Sequence, residues 1–210
     1  MDAKGEEKSW VTDAEGAIAG VRDCLRRWRR ARAEGRTALK ELSNAILAGT
    51  FVDASHATWA TLAGAGAVLR RTGLASEARI RRAHSDLASL QDEMLAASAG
   101  LRKHASQVWA AAAASSSVGV NENAGSRPGS AAAHVSVGGG FNLDDLAMAA
   151  AEVADMLRRE ALVTATVVQG VTSGVDRDSL TVYASAWMMQ PYVDDSRWRE
   201  LQLMLREPLN

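Results

Sequence analysis

Apolar residues near the start of the chain recur in alternating steps of four and three. Ala14, Ile18, Val21, Leu25, Trp28, Arg32, Gly35, Leu39, Leu42 and Ile46 fall on that ladder. This is a heptad-like seam on one long helix, with Arg32 and Gly35 as its two poor positions. Asp13 reads as the N-cap, and residues 1–12 as a frayed terminus. Gly49, followed by Asp53 and Ser55, predicts a stop and a restart.

A second helix is predicted from about Ser55. Trp59, Leu62, Gly66, Leu69, Gly73, Ser76, Ile80, Ala83, Leu87, Leu90, Met94, Ala97, Leu101, His104 and Val108 keep the same stepping. Glycine costs a helix about 1 kcal/mol relative to alanine. Gly64, Gly66 and Gly73 therefore predict a break near 72–76, with the strong part from Glu77 to Trp109. An apolar stripe on so long a helix cannot bury itself, so antiparallel packing of the two helices is expected.

Periodicity then disappears. Ser, Gly, Asn and Pro dominate 115–140 and large apolar side chains are nearly absent, which predicts a disordered linker. Beyond it, Asn142 caps a third helix with Asp144 and Asp145 in its first turn. Leu146, Ala150, Val153, Leu157, Thr164, Val167 and Val171 form its stripe, and Gly170 with Ser173-Gly174 ends it. Asp176 caps a fourth helix, along which Leu180, Ala184 and Trp187 share a face. Pro191 disfavours helix at Gln190, so that helix stops near Met189. Asp194 caps a fifth helix carrying Trp198, Leu201 and Leu205.

The stretch from Trp187 to Arg197, WMMQPYVDDSR, is the densest in side chains that need defined surroundings. Trp187, Tyr192 and Trp198 can converge at this corner. It reads either as an aromatic-filled helical corner or as a docking surface for another protein, since aromatics and Met serve both.

Composition narrows the class. The 210 residues hold 24 basic and 25 acidic side chains, so bulk charge selects neither nucleic acid nor membrane. Cys24 is the only cysteine, which excludes an internal disulfide and a thiolate zinc cluster and fits a reducing compartment. No apolar run is long enough for a transmembrane helix, and MDAKGEEKSW lacks the apolar core of a signal peptide.

Candidate chemistry is sparse. His56, His84, His104 and His134 are scattered, with no metal-ligand spacing. No nucleophile elbow or phosphate loop is present. Asp194 and Asp195 read as a cap and its dipole complement, not as a catalytic pair. No catalytic, cofactor-binding or metal residues are assigned, and an enzyme is not expected. Arg22, Arg26, Arg27, Arg29, Arg30, Arg32 and Arg36 surround Trp28 on the first helix. That run reads as a solvated face or an acid-pairing surface, with nucleic-acid contact as an alternative. Pro128, Pro191 and Pro208 follow Arg, Gln and Glu, so no Ser-Pro or Thr-Pro site exists for a proline-directed kinase.

The runs MLRREAL (Met156–Leu162), SLTVYASAW (Ser179–Trp187) and QPYVDDSR (Gln190–Arg197) resemble the C-terminal region of the cyclin-dependent kinase 2-interacting protein (CINP) family. The resemblance spans roughly 155–205. LRRWRRARAEG (Leu25–Gly35) is a weaker match in register, LASLQDEM (Leu87–Met94) is a partial match, and about 110–140 matches nothing. It implies a nuclear, chromatin-associated adaptor, with the cytoplasm as a second location. The partners it implies are cyclin-dependent kinase/cyclin complexes, replication-initiating kinases, and checkpoint or AAA ATPase assemblies. The implied roles are DNA replication, checkpoint signalling and ribosome maturation. Trp187, Gln190, Pro191, Tyr192, Arg197 and Trp28 are then the expected partner-binding residues.

The expected architecture is all-α: a frayed 1–12, a long antiparallel coiled-coil-like pair over 13–114, a linker over 115–140 and a C-terminal helical group over 141–207. The competing readings are a generic coiled-coil structural subunit, seeking a second helical protein, and an Arg-rich nucleic-acid-binding helix.

Overall fold

The computed structural model describes residues 3–59, 64–118, 136–137, 141–173 and 176–205. The fold is all-α, with five helices among the described residues: α1 (Ala3–Trp59), α2 (Ala65–Val118), α3 (Leu143–Thr172), α4 (Arg177–Met189) and α5 (Asp195–Met204). A two-residue antiparallel pair, β1 (Ser136–Val137) with β2 (Phe141–Asn142), leads into α3. The rest of the 115–140 stretch beyond Val118 lies outside the described residues.

Three helix starts follow from capping chemistry. The Asn142 carboxamide oxygen accepts the Asp145 N–H at 2.7 Å, while the Asp145 carboxylate accepts the Asn142 N–H at 3.1 Å. This reciprocal box opens α3. Asp176 accepts from the Ser179 N–H at the start of α4, and Asp194 accepts from the Ser196 and Arg197 N–H groups at the start of α5. These hydrogen bonds supply acceptors to orphan donors of the first turn.

Other boundaries differ from expectation. α1 starts at Ala3, so Asp13 is an interior residue and not a cap. Trp10 and Val11 are half-buried and extend the apolar stripe back from Ala14, Ala17 and Ile18. α1 also runs unbroken through Gly49 and Ser55 to Trp59, and the chain turns at Gly64, whose φ of 87° suits glycine. α2 continues through 72–76 without a break. Small residues there allow close helix approach: the buried Ser76 hydroxyl donates to the Ala45 carbonyl at 2.6 Å. A β-carbon on Gly73 would lie 3.9 Å from Val52 Cγ1. That distance is ordinary van der Waals contact, so the hydrogen bond from Ser76 is the specific contact that offsets the helix-breaking cost here.

The chain forms two compact units, the first drawing on three stretches and the second on two. The first unit comprises Met1–Trp28, Leu95–Glu160 and Tyr192–Asn210. Its core takes Val21, Leu25 and Trp28 from α1, Leu101 and Val108 from α2, Leu146, Val153 and Leu157 from α3, and Leu201 and Met204 from α5. The His104 ring lies over Gly20 and the Cys24 thiol over Gly100, so numbers rise on α1 as they fall on α2. That is the antiparallel pairing expected. Arg22 donates through Nε and Nη2 to the Leu205 carbonyl at 2.9 and 2.6 Å, satisfying a C-terminal acceptor of α5. Arg102 pairs with Asp155.

The second unit comprises Arg29–Met94 and Ala161–Pro191. Leu39, Leu42 and Ala45 of α1, Ala83, Leu87 and Met94 of α2, Thr164, Val167 and Val171 of α3, and Leu180 and Trp187 of α4 are buried there. Arg30 pairs with Glu93, again antiparallel. Gly170 lies inside α3 and does not end it. The Tyr183 ring occupies the space its β-carbon would need, with Cζ at 2.3 Å.

Candidate partner-binding site

The expected corner residues divide between the two units. In the second unit, Trp187 is 3% exposed and reaches α1. Its indole crosses Gly35, and its Nε1–H donates to the Arg32 carbonyl at 3.2 Å. Arg32 returns a bond from Nη2 to the Met188 carbonyl at 2.7 Å. The two poor seam positions of α1 are thus the socket for the end of α4. Gly35 makes room for the ring, and Arg32 supplies both an acceptor for the indole and a donor for a C-terminal carbonyl. Trp187 and Trp28, the latter 1% exposed, pack inside the protein and offer no surface to a partner.

α4 ends at Met189 as expected, and Gln190 leaves in the left-handed region at φ 44°, ψ 66°. The ring of Pro191 excludes a right-handed helical continuation here. The Gln190 side chain is buried, and its Nε2 has no hydrogen-bond partner among the described residues. Met188 and Met189 beside it are 49% and 78% exposed.

In the first unit, Tyr192 is 49% exposed, and its backbone N–H donates to Glu160 Oε2 at 3.2 Å. Glu160 is 1% exposed. A buried carboxylate therefore anchors the turn while the phenol points outward. Nothing in the local pattern flags Glu160, because its acceptor role depends on a residue 32 positions away.

Asp194 gathers three donors: the Ser196 hydroxyl at 2.5 Å, the Ser196 N–H at 2.8 Å and the Arg197 N–H at 3.3 Å. The Ser196 hydroxyl contributes most to holding its carboxyl below the usual aspartate range, with the backbone donors adding to it. The Asp176 carboxyl is likewise lowered, mainly by the Ser179 N–H. Arg197 bridges α3 and α5, with Nε 2.6 Å from Glu152 and Nη1 2.5 Å from Glu200. The hydrogen bond to Glu152, then that to Glu200, pushes its guanidinium pKa still higher.

Arg197 also borders a hollow of about 340 Å³, lined with Phe141, Met148, Ala149 and Met204 as well as Asp145 and Glu200. Met148 is 49% exposed, and Leu203 on α5 is 55% exposed. Nothing in the local sequence pattern marks this hollow, since Phe141 and Met148 stand far from the corner in the chain. Trp198 is half-buried in the same unit.

Among the described residues, no group of three or more His, Cys, Asp and Glu side chains could hold a metal ion. His84 and His104 lie in different units, and His56 and His134 lie where no side chain is described. No helix among the described residues is long and apolar enough to cross a membrane. No family model matches this sequence, and no curated protein matches it significantly.

Proposed function

We propose that this chain is a non-enzymatic helical adaptor that binds a protein partner through the α3–α5 surface of its first unit. The observation that carries the reading is the hollow beside Arg197, where Phe141, Met148 and Met204 provide an apolar lining and Arg197 and Glu200 a charged rim. Methionine-lined hollows adapt to partner side chains, and a polar rim around an apolar centre is the usual anatomy of an interface. Arg197 lies within the run that resembles the CINP family, so hollow and resemblance coincide at one residue. The partner classes proposed on that resemblance are cyclin-dependent kinase/cyclin complexes, replication-initiating kinases, and checkpoint or AAA ATPase assemblies. The proposed setting is the nucleus.

The alternative of a generic coiled-coil subunit has less support. Val21, Leu25, Leu42, Leu87 and Leu101 are already covered within this chain's own units. No bare seam remains at those positions to recruit a second helix.

The test uses purified candidates from each partner class and the full-length chain. Met148→Glu, on an exposed position, should preserve the melting temperature and weaken capture at least tenfold, about 1.4 kcal/mol. Equal capture of wild type and variant would move the docking surface elsewhere. Capture of none of the candidates would remove the adaptor assignment to those classes.

A further inference from the structure

The solvent face of α2 in the second unit carries charge that the adaptor reading does not use. Arg70, Arg71, Arg79, Arg81 and Arg82 fall within thirteen residues, all exposed, with Glu77 as the single acid among them. Arg81 pairs with Glu77 at 3.7 Å. Arg70, Arg71, Arg79 and Arg82 have no ion-pair partner among the described residues.

Their spacing is regular. Eleven residues make about three helical turns, so Arg70 and Arg81 share a direction, as do Arg71 and Arg82. The two arginine pairs stand about 16.5 Å apart along the axis at 1.5 Å per residue. Both point away from the buried stripe of Ser76, Ala83 and Leu87. Between them the outer face presents Leu74, Ala75 and Ala78, all exposed. Leu74 is the one large apolar side chain there, too little for a helix–helix seam or for insertion into a lipid surface. Small alanines allow another surface to approach closely, and guanidinium forks match phosphate oxygens.

We propose that this face binds the phosphate backbone of B-form duplex DNA, with one arginine pair on each bank of a groove. A B-form major groove is about 12 Å wide, and pairs about 16.5 Å apart can reach the phosphates on both sides of it. The deep and narrow major groove of an A-form duplex does not offer that spacing. The contact is to phosphates, so it carries no base sequence.

The experiment measures binding of the full-length chain to a fluorescent 20-base-pair DNA duplex, and to an RNA duplex of equal length, between 50 and 200 mM salt. Four phosphate contacts give a log–log salt slope of about −3.6, a loss of about 150-fold over that range. The double variant Arg71→Gln/Arg82→Gln should bring the slope to about −1.8 and weaken DNA binding at least tenfold at 100 mM salt. Its circular dichroism and melting temperature should match wild type, because neither exposed side chain has an ion-pair partner among the described residues. Arg26→Gln and Arg36→Gln on α1 should leave binding within twofold. The RNA duplex should bind at least tenfold more weakly than DNA.

Absence of salt-dependent DNA binding at 50 mM would overturn the proposal. So would loss of binding in the α1 variants alone, or equal binding of both duplexes. A wild-type dimer that does not bind DNA and that Arg71→Gln/Arg82→Gln dissociates would assign the face to a second copy of this chain instead.

Discussion

Trp187 Cζ2 lies 2.0 Å from where a β-carbon on Gly35 would stand. A single hydrogen at position 35 therefore decides whether the indole can enter its socket on α1. Gly35→Ala should destabilise the chain by about 1–3 kcal/mol, the range of overpacking, despite alanine's better helix propensity. Gly16 is the internal control, since nothing lies within 4 Å of its would-be β-carbon. Gly16→Ala should stabilise by about 0.5–1 kcal/mol. Calorimetry of the two variants should give melting shifts of opposite sign.

Trp187 and Tyr192 should separate stability from binding. Trp187→Ala empties a buried aromatic site and should cost about 3–5 kcal/mol. Tyr192→Ala keeps the backbone N–H that meets Glu160 and should hold the melting temperature within a few degrees. If the phenol contributes to docking, capture of the proposed kinase or ATPase candidates should fall at least tenfold. Matching losses of stability in both variants would place Tyr192 in the core.

Glu160 should matter through its acceptor oxygen. Glu160→Ala leaves the Tyr192 N–H without that partner and should cost about 1–3 kcal/mol or more in chemical denaturation. Glu160→Gln retains an acceptor oxygen and should lose less. A Gln variant as damaged as the Ala variant would show that the negative charge, and not the bond to Tyr192, is what the site requires.

Acid should weaken the caps of α4 and α5. Asp176 and Asp194 have folded-state pKa values lowered by their cap hydrogen bonds. Their stabilisation is therefore present above the ordinary aspartate range and fades as pH falls through the lower folded values. Asp194→Asn preserves a cap acceptor while removing the titration. Its stability below about pH 4 should fall less steeply than that of wild type. Parallel acid profiles would assign the loss to other carboxylates.

Those two caps were legible because a cap is a local event: the donor stands two or three residues from the acceptor, and Asp before a helical stripe suffices to find it. The stripe of α3 was equally legible, since every stripe position from Leu146 to Val171 is buried. The glycines misled. At Gly170 the sequence shows only the propensity cost, while the ring that needs the space lies 13 residues away at Tyr183. The site divided in the same way. The Gln190-Pro191 stop is written locally. The burial of Trp187 depends on Arg32 and Gly35, and the hollow depends on bringing Phe141 and Met148 to Arg197. These are relationships between distant residues that spacing along one helix cannot express.

Each compact unit draws on stretches on both sides of the segment between Val118 and Ser136. Severing the backbone there would release two fragments, one holding α1 and α2, the other α3, α4 and α5. Neither fragment contains a whole unit, so neither can complete a core on its own. The protein is built as an obligate pairing of two pieces that happen to share one polypeptide. After such a cut, the buried side chains would have to do what the peptide bond had done, and a split reporter placed at the nick would read their reunion directly.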